Sequence, residues 1–195
     1  MPFTHRRLSS CYGFFAVAAL AATAPSRVVV AQNVMDAKSA GYLRDQYLAD
    51  MDTVHRKITA LANAIPAERY SWRPAQGVRT VSEVLMHVAS EWFFYGPQSI
   101  GGKPPADFGP PNEALPKLEK DFTKKSQVLE QLDKGWAYFV SQMKAADASK
   151  LTGRYQPWNS TLAEAAFGMT GDQHEHLGQL IAYARSVGVT PPWSK

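Results

Sequence analysis

Apolar residues recur at helical spacing in separate segments of the chain. In the first segment, from about Asp36 to Ala64, they step by three or four positions along one face: Leu43, Tyr47, Met51, Val54, Ile58, Leu61 and Ile65. This spacing predicts an amphipathic helix, and Pro66 ends it because proline cannot continue a helix. Strand-like alternation of any length is absent, so the pattern predicts an all-α fold.

The second helix is predicted to begin at Thr80, because Thr80 and Glu83 have the spacing of a capping box. Its buried stripe is Val81, Leu85, Val88, Trp92 and Tyr95. A loop rich in glycine and proline is predicted from Gly96 to Pro116, since this composition favours neither helix nor sheet. A connection of this length often carries function.

Two further amphipathic helices complete the pattern. The third is predicted over about Leu115 to Ala145, with one apolar side: Leu115, Leu118, Phe122, Leu129, Leu132, Trp136, Phe139 and Met143. The fourth follows the cap-like cluster at 159–161 and runs to about Val187, before Gly188 and a Pro-Pro pair. The sequence therefore predicts a single four-helix bundle domain over residues 36–193.

Residues 1–31 have the pattern of a secretory signal peptide. Positions 5–7 are basic, Tyr12 to Ala24 is apolar, and Val29 and Ala31 suit a cleavage site. The apolar stretch is shorter than the roughly 20 residues of a transmembrane helix. We therefore expect this segment to be removed, leaving no stable membrane anchor and an exported bacterial protein in the periplasm or outside the cell.

Composition excludes several classes of function. The 195 residues are 45% hydrophobic, which is enough for one domain with a core. Removal of residues 1–31 takes away three arginines and no acidic residue, so the formal charge falls from +4 to +1. A near-neutral domain has no basic stripe for nucleic acid. The single cysteine, Cys11, lies in the segment expected to be removed, so the mature chain has neither disulfide nor thiolate.

Two polar residues interrupt the apolar stripe of the fourth helix. Asp172 and His176 lie one turn apart and continue the series Leu162, Ala165, Met169, Leu180, Tyr183 and Val187. A buried carboxylate without a partner costs several kcal/mol, so Asp172 should meet a cation, a hydrogen-bond donor or a metal. An Asp–His hydrogen bond without metal explains the pair nearly as well. His174 lies about 200° round the helix from His176 and should face solvent.

The second helix offers another imidazole. His87 lies at the border of its buried face, with Glu91 one turn further on the same side. Together, His87, Asp172 and His176 would leave a coordination position open for water or substrate, as in catalytic metal sites. This mixed nitrogen and oxygen set suits zinc, nickel, iron or manganese. Alone, a histidine such as His87 is more often a core or surface residue. Glu91 and His55 are candidates to assist proton transfer, and His55 is also a candidate further ligand.

Three motifs in this order resemble the DinB-like superfamily: the run Ala64–Pro74, the run Val81–Val88 that contains His87, and the run His174–Leu180 that leads to Tyr183, Arg185, Gly188 and Pro191–Pro192. The resemblance covers about residues 36–193. It implies a four-helix bundle that binds one divalent metal through a histidine of helix two and two residues one turn apart in helix four. By position these are His87, Asp172 and His176.

The resemblance leaves the ligand set and the reaction open. Many relatives have histidine at the position of Asp172, whereas mycothiol-dependent maleylpyruvate isomerases have a carboxylate there. Relatives are often dimeric, so a homodimer is one oligomeric state that the resemblance implies. Some are thiol-dependent transferases or isomerases and others resemble hydrolases. We therefore expect a metal-dependent transferase or hydrolase that activates water or a thiol for reaction with a small-molecule substrate. The alternative is a non-catalytic exported bundle that binds a small apolar ligand or a partner.

Overall fold

The computed structural model describes residues 35–156 and 159–194, so the expected signal peptide and its cleavage site lie outside the described residues. The helices are α1 (Ala37–Ala64), α2 (Val81–Phe93), α3 (Tyr95–Gln98), α4 (Pro111–Asp121), α5 (Lys125–Ala145) and α6 (Leu162–Ser186). Short 3-10 turns cover Ala67–Arg69 and Ala148–Lys150. No helix of this described part is both long and apolar enough to cross a membrane.

Four of these helices form the bundle. The contacts α1 with α5, α5 with α2, α2 with α6 and α6 with α1 close a cycle around one core. In the centre lies α2, of whose residues only Glu83 and His87 are partly exposed, while the rest are buried. Helix α4 also packs against α2. Side chains that α2 directs towards α6 are therefore held in a packed helical interior.

Capping boxes fix the starts of α2 and α6, as the sequence predicted for α2. The Thr80 hydroxyl accepts from the Glu83 amide, and the Glu83 carboxylate accepts from the Thr80 amide at 2.6 Å. Thr161 and Glu164 make the same pair of contacts at the start of α6, with the Thr161 amide donating at 2.7 Å. Each box satisfies amides that have no partner within the helix.

Three sequence-based expectations need correction. The predicted third helix is two helices, α4 and α5, because the backbone at Phe122 leaves the helical region with φ −114° and ψ 88°. The predicted loop from Gly96 to Pro116 contains α3 and the first half of α4, since Pro111 lies in the first turn, where its fixed φ suits a helix. The chain also forms a two-residue antiparallel pair, β1 (Arg154–Tyr155) with β2 (Ser160–Thr161).

Helices α2 and α5 come close together at Gly135. A Cβ added there would lie 2.9 Å from the Ala89 carbonyl oxygen, which is backbone and cannot easily move. We therefore expect Gly135→Ala to lower the free energy of unfolding by about 1–3 kcal/mol in urea denaturation. Gly178 of α6 is the matched control, since an added Cβ would meet nothing within 4 Å. Gly178→Ala should leave stability unchanged or raise it by up to about 1 kcal/mol. A gain in both variants would contradict the close approach.

Candidate metal centre

Two imidazoles and a carboxylate converge between α2 and α6. The ligand atoms of His87, Glu91 and His176 all lie within 4.8 Å of one another. Glu91 Oε1 is 3.2 Å from His87 Nε2 and 3.8 Å from His176 Nε2. Ligands about 2.0–2.2 Å from a tetrahedral ion are about 3–3.5 Å apart. The three atoms are therefore spaced to share one divalent ion.

The helices explain why these side chains meet. His87 and Glu91 are one turn apart on α2, so their side chains share a face of that helix. His176 approaches from α6, which packs against α2. The Glu91 side chain is almost fully buried, at 4% exposure, whereas both histidines are partly buried. The group therefore lies at the edge of the core, where an ion could be enclosed on one side only.

The Nδ1 atom of each imidazole lies near a side-chain oxygen outside the cluster. His87 Nδ1 lies 2.8 Å from Glu119 Oε1, and Glu119 is held in turn by the Arg79 guanidinium at 3.1 Å. His176 Nδ1 lies 3.3 Å from Gln179 Oε1. When Nδ1 donates to an outer oxygen, the lone pair of Nε2 is free to bind a metal. Metal-binding histidines almost always have such a partner, and here both Nε2 atoms face Glu91.

The residues present fit a metal ion. His176 Nε2 is buried and has no hydrogen-bond partner in the described part of the chain. Its nearest acidic oxygens, on Asp172 and Glu91, lie at 3.6 and 3.8 Å, which is too far for a hydrogen bond. Buried polar atoms are normally satisfied, so a buried nitrogen without a hydrogen-bond partner that faces two other ligand atoms fits a role in binding a cation.

The electrostatics of the metal-free group match this geometry. Burial raises the pKa of Glu91 to about 7, with Asp172 adding to the rise and His87 opposing it. Burial disfavours the charged form of His87, but the carboxylates of Glu119 and Glu91 outweigh it and raise the pKa to about 9. Burial lowers the pKa of His176. A proton on His87 therefore holds the carboxylates together without metal, and a metal ion would displace it.

Asp172, the carboxylate that the sequence pattern favoured as a ligand, lies beside this group. Its side chain is 42% exposed, and Oδ2 is 3.6 Å from His176 Nε2. The next residue, Gln173, is the one that is fully buried. Together with Glu91, Asp172 lines an open pocket of about 380 Å³ whose other walls are Tyr95, Gly168 and Met169. Glu91, expected to assist proton transfer, is the carboxylate whose oxygen lies near the Nε2 atoms of both His87 and His176.

The other two histidines among the described residues, His55 and His174, lie outside the cluster. His174 is 48% exposed and its Nε2 is 2.9 Å from Asp50, so the expected solvent-facing direction is confirmed. His55 stacks on Trp136 with ring centroids 4.2 Å apart and meets the edge of Trp92 at 5.2 Å. Neither ring nitrogen of His55 has a hydrogen-bond partner in the described residues. The structure therefore places His55 as a packed aromatic ring and not among the converging ligand atoms.

The packing of His55 predicts acid sensitivity of the metal-free protein. Burial lowers its pKa from 6.5 to about 4, so the unfolded chain takes up the proton more readily than the folded chain does. The contribution of neutral His55 to the free energy of unfolding should therefore be fully present above pH 6.5. It should be lost as the pH falls from 6.5 towards 4, which lowers the free energy of unfolding by about 1–2 kcal/mol, allowing for partial solvent screening. His55→Leu should remove this part of the pH dependence in urea denaturation between pH 7 and 4. His174→Ala, which changes an exposed histidine, should retain it, and equal slopes for parent and His55→Leu would contradict the prediction.

Several residues that support the cluster were not predicted from the sequence: Glu119, Gln173 and Gln179. Gln179 lies three positions after His176, a helical spacing that could have indicated it. Glu119 lies 32 residues from His87 on α4, the first half of which was predicted to be loop. Its role depends on how α4 folds back against α2.

The fold and the cluster define a helical protein with a group of two histidines and one carboxylate that could hold a divalent ion. A sequence model described as the DinB superfamily matches residues 50–180, a range that includes His87, Glu91 and His176. The chain belongs to the DinB superfamily, whose members bind divalent metal. No curated protein matches the chain.

Proposed function

We propose that the protein binds one divalent metal ion through His87, Glu91 and His176 and uses it in a reaction on a small molecule held in the adjoining pocket. The observation that carries this proposal is the convergence of three ligand atoms within 4.8 Å, one of them the buried and unpartnered His176 Nε2. No arrangement of hydrogen bonds within these three side chains satisfies that nitrogen at the observed distances.

Three protein ligands leave coordination positions for water or substrate, which is the feature of catalytic metal sites. A bound ion would act as a Lewis acid and lower the pKa of water or a thiol. Asp172 is suited to accept a proton, because its carboxylate is partly exposed in the pocket and lies beside the cluster. The proposal therefore exchanges the two carboxylate roles expected from the sequence: Glu91 binds the metal and Asp172 acts in proton transfer.

The ligand set narrows the chemistry. Two histidines and a glutamate occur in zinc hydrolases, and two histidines with one carboxylate also suit iron(II). Nickel and manganese remain in the proposed set. If residues 1–31 direct export, as we expect, small intracellular thiols would be scarce at the site. Water is then the preferred nucleophile, so we propose a hydrolase ahead of a thiol-dependent transferase.

A second cavity favours a different function. It has a volume of about 300 Å³ between α1 and α6, and most of its walls are apolar: Leu43, Tyr47, Leu151, Ala163, Ala166 and Phe167. Apolar cavities of this size are typical of small-ligand sites. The second candidate is therefore a non-catalytic protein that binds a small apolar molecule here, with a metal ion that has only a structural role.

Metal analysis of the mature protein, purified without a histidine tag, tests the proposal. We expect about one ion per chain and a rise in melting temperature when zinc, nickel, manganese or iron(II) is added to the metal-free protein, because an ion that binds only the folded state stabilises it. In the cobalt-substituted protein, azide or a small thiol should change the visible spectrum if a coordination position is open. Absence of bound metal and of any thermal shift would contradict the metal site, and an unresponsive cobalt spectrum would favour the second candidate.

A further inference from the structure

We infer that Trp92 and Gln173 form a hydrogen-bond chain that sets the orientation of the Glu91 carboxylate and thereby the affinity of the site for metal. This inference rests on the proposed metal site. Gln173 Nε2 donates to Glu91 Oε2 at 2.5 Å, and Trp92 Nε1 donates to Gln173 Oε1 at 2.9 Å. Gln173 and Trp92 are fully buried and Glu91 is 4% exposed, so bulk water does not compete for these contacts.

The direction of the chain follows from the chemistry of the three groups. A glutamine amide has one end that accepts and one that donates, and rotation by 180° exchanges them. The indole N–H of Trp92 can only donate, so the amide oxygen of Gln173 must face it. The amide N–H₂ then necessarily points to Glu91. In the reversed orientation two donors would meet at Trp92, and both buried hydrogen bonds would be lost.

Because of this hydrogen-bond chain, the two carboxylate oxygens of Glu91 have different partners. Oε2 is held by Gln173, and Oε1 is left facing His87 Nε2 at 3.2 Å and His176 Nε2 at 3.8 Å. A carboxylate fixed at one oxygen cannot rotate freely about its terminal torsion, which is otherwise broad. Glu91 is therefore positioned for metal before an ion arrives. Gln173 and Trp92 are therefore positioning residues, which act on the site through Glu91.

The location of Trp92 separates this role from ordinary packing. The Trp92 ring packs against two aromatic rings. Its centroid lies 5.2 Å from that of His55 and 5.6 Å from that of Trp136. Its N–H donates to Gln173 Oε1. Phenylalanine at this position would retain most of the packing and lose the N–H, so the two contributions can be measured separately.

A double-mutant cycle tests the inference by metal affinity. The dissociation constant for zinc would be measured by competition with a chromophoric chelator for the parent, Trp92→Phe, Gln173→Met and the double variant, each shown to be folded by circular dichroism. Gln173→Met should weaken binding by roughly 10–100-fold, as loss of outer partners does in metal sites, and Trp92→Phe should weaken it by a smaller factor. The double variant should bind as weakly as Gln173→Met and no more weakly, because Trp92 acts only through Gln173.

Two further variants keep the test decisive. Gln173→Glu retains an acceptor for Trp92 but places a carboxylate oxygen against Glu91, so it should weaken zinc binding at least as much as Gln173→Met even if the latter folds poorly. Trp136→Phe is the matched control, since Trp136 packs on Trp92 and His55. It should lower the melting temperature without changing the dissociation constant. The cobalt spectrum should change in the Gln173 variants and stay as in the parent for Trp136→Phe.

The outcomes are distinguishable. A parent protein that binds no zinc would overturn the proposed metal site itself. If the parent binds zinc and both Gln173→Met and Gln173→Glu bind it with the parent's affinity, the inference alone is overturned and the Trp92–Gln173 hydrogen bonds have only a structural role. Losses that add in the double variant would show that Trp92 acts independently of Gln173.

Discussion

His176→Ala should abolish stoichiometric metal binding, with a loss of affinity of well over about 100-fold. That factor is the upper end of what outer partners of metal ligands contribute, and a direct ligand should contribute more. His176 supplies the one imidazole nitrogen of the cluster that is buried without a hydrogen-bond partner in the described residues. Isothermal titration of the metal-free protein with zinc measures the loss, and elemental analysis of the purified variant provides a second readout.

His174→Ala is the matched control for this variant. His174 lies two positions away on the same helix, is 48% exposed and pairs with Asp50. Its removal should leave zinc affinity and stoichiometry as in the parent. The metal-free His176→Ala protein should lose some stability, because truncation removes a largely buried ring and its contact with Gln179, so circular dichroism should first show that the variant is folded. Equal zinc binding by both variants would show that the cluster is not the metal site.

Local sequence patterns predicted α1, α2 and α6 well because those helices have both a periodic apolar face and a local end signal. Pro66 follows α1, and capping boxes at Thr80 and Thr161 begin α2 and α6. Such signals depend on contacts within a few residues, which the sequence displays directly. The position of His87 and His176 on two inward-facing helices could therefore be predicted.

The interruption between α4 and α5 could not be predicted in the same way. Neither glycine nor proline occurs at 122–124, and the apolar spacing continues across the break. What separates the helices is the packing of α4 on α2, a tertiary contact that brings Glu119 behind His87. Long-range packing overrides the local helical preference here, so the contact of Glu119 with His87 could not be predicted from the sequence.

Helical periodicity alone could not decide whether Asp172 or Glu91 is the carboxylate that joins the two histidines. Successive residues of a helix differ by about 100° in direction, so a rotation of α6 by roughly 50° decides whether Asp172 or Gln173 faces the interior more directly. The structure buries Gln173 and leaves Asp172 at 42% side-chain exposure. Glu91 lies one turn after His87 and fills the interior place from α2. Sequence alone placed a carboxylate near two histidines but could not tell which one.

Glu91→Gln and Asp172→Asn should therefore have opposite effects on binding and on chemistry. Glu91→Gln should weaken zinc binding by more than about 100-fold, because a neutral amide is a poor ligand and its N–H₂ would face either an imidazole nitrogen or the amide N–H₂ of Gln173. Asp172→Asn should keep zinc affinity within about tenfold, as expected of a residue outside the ligand set. Once a substrate is found, this variant should lower kcat by roughly 100-fold or more, the usual contribution of a proton-transfer group.

Both variants remove one negative charge and preserve side-chain size, so each is the control for the other. A general loss of negative charge at the cluster would weaken zinc binding to a similar extent in both, which would contradict the separation of roles. The reverse result, with zinc binding lost in Asp172→Asn and kept in Glu91→Gln, would mean that Asp172 turns inward when an ion is present, since its Oδ2 is already 3.6 Å from His176 Nε2. Glu91 would then be left with the proton-transfer role for which the sequence made it a candidate.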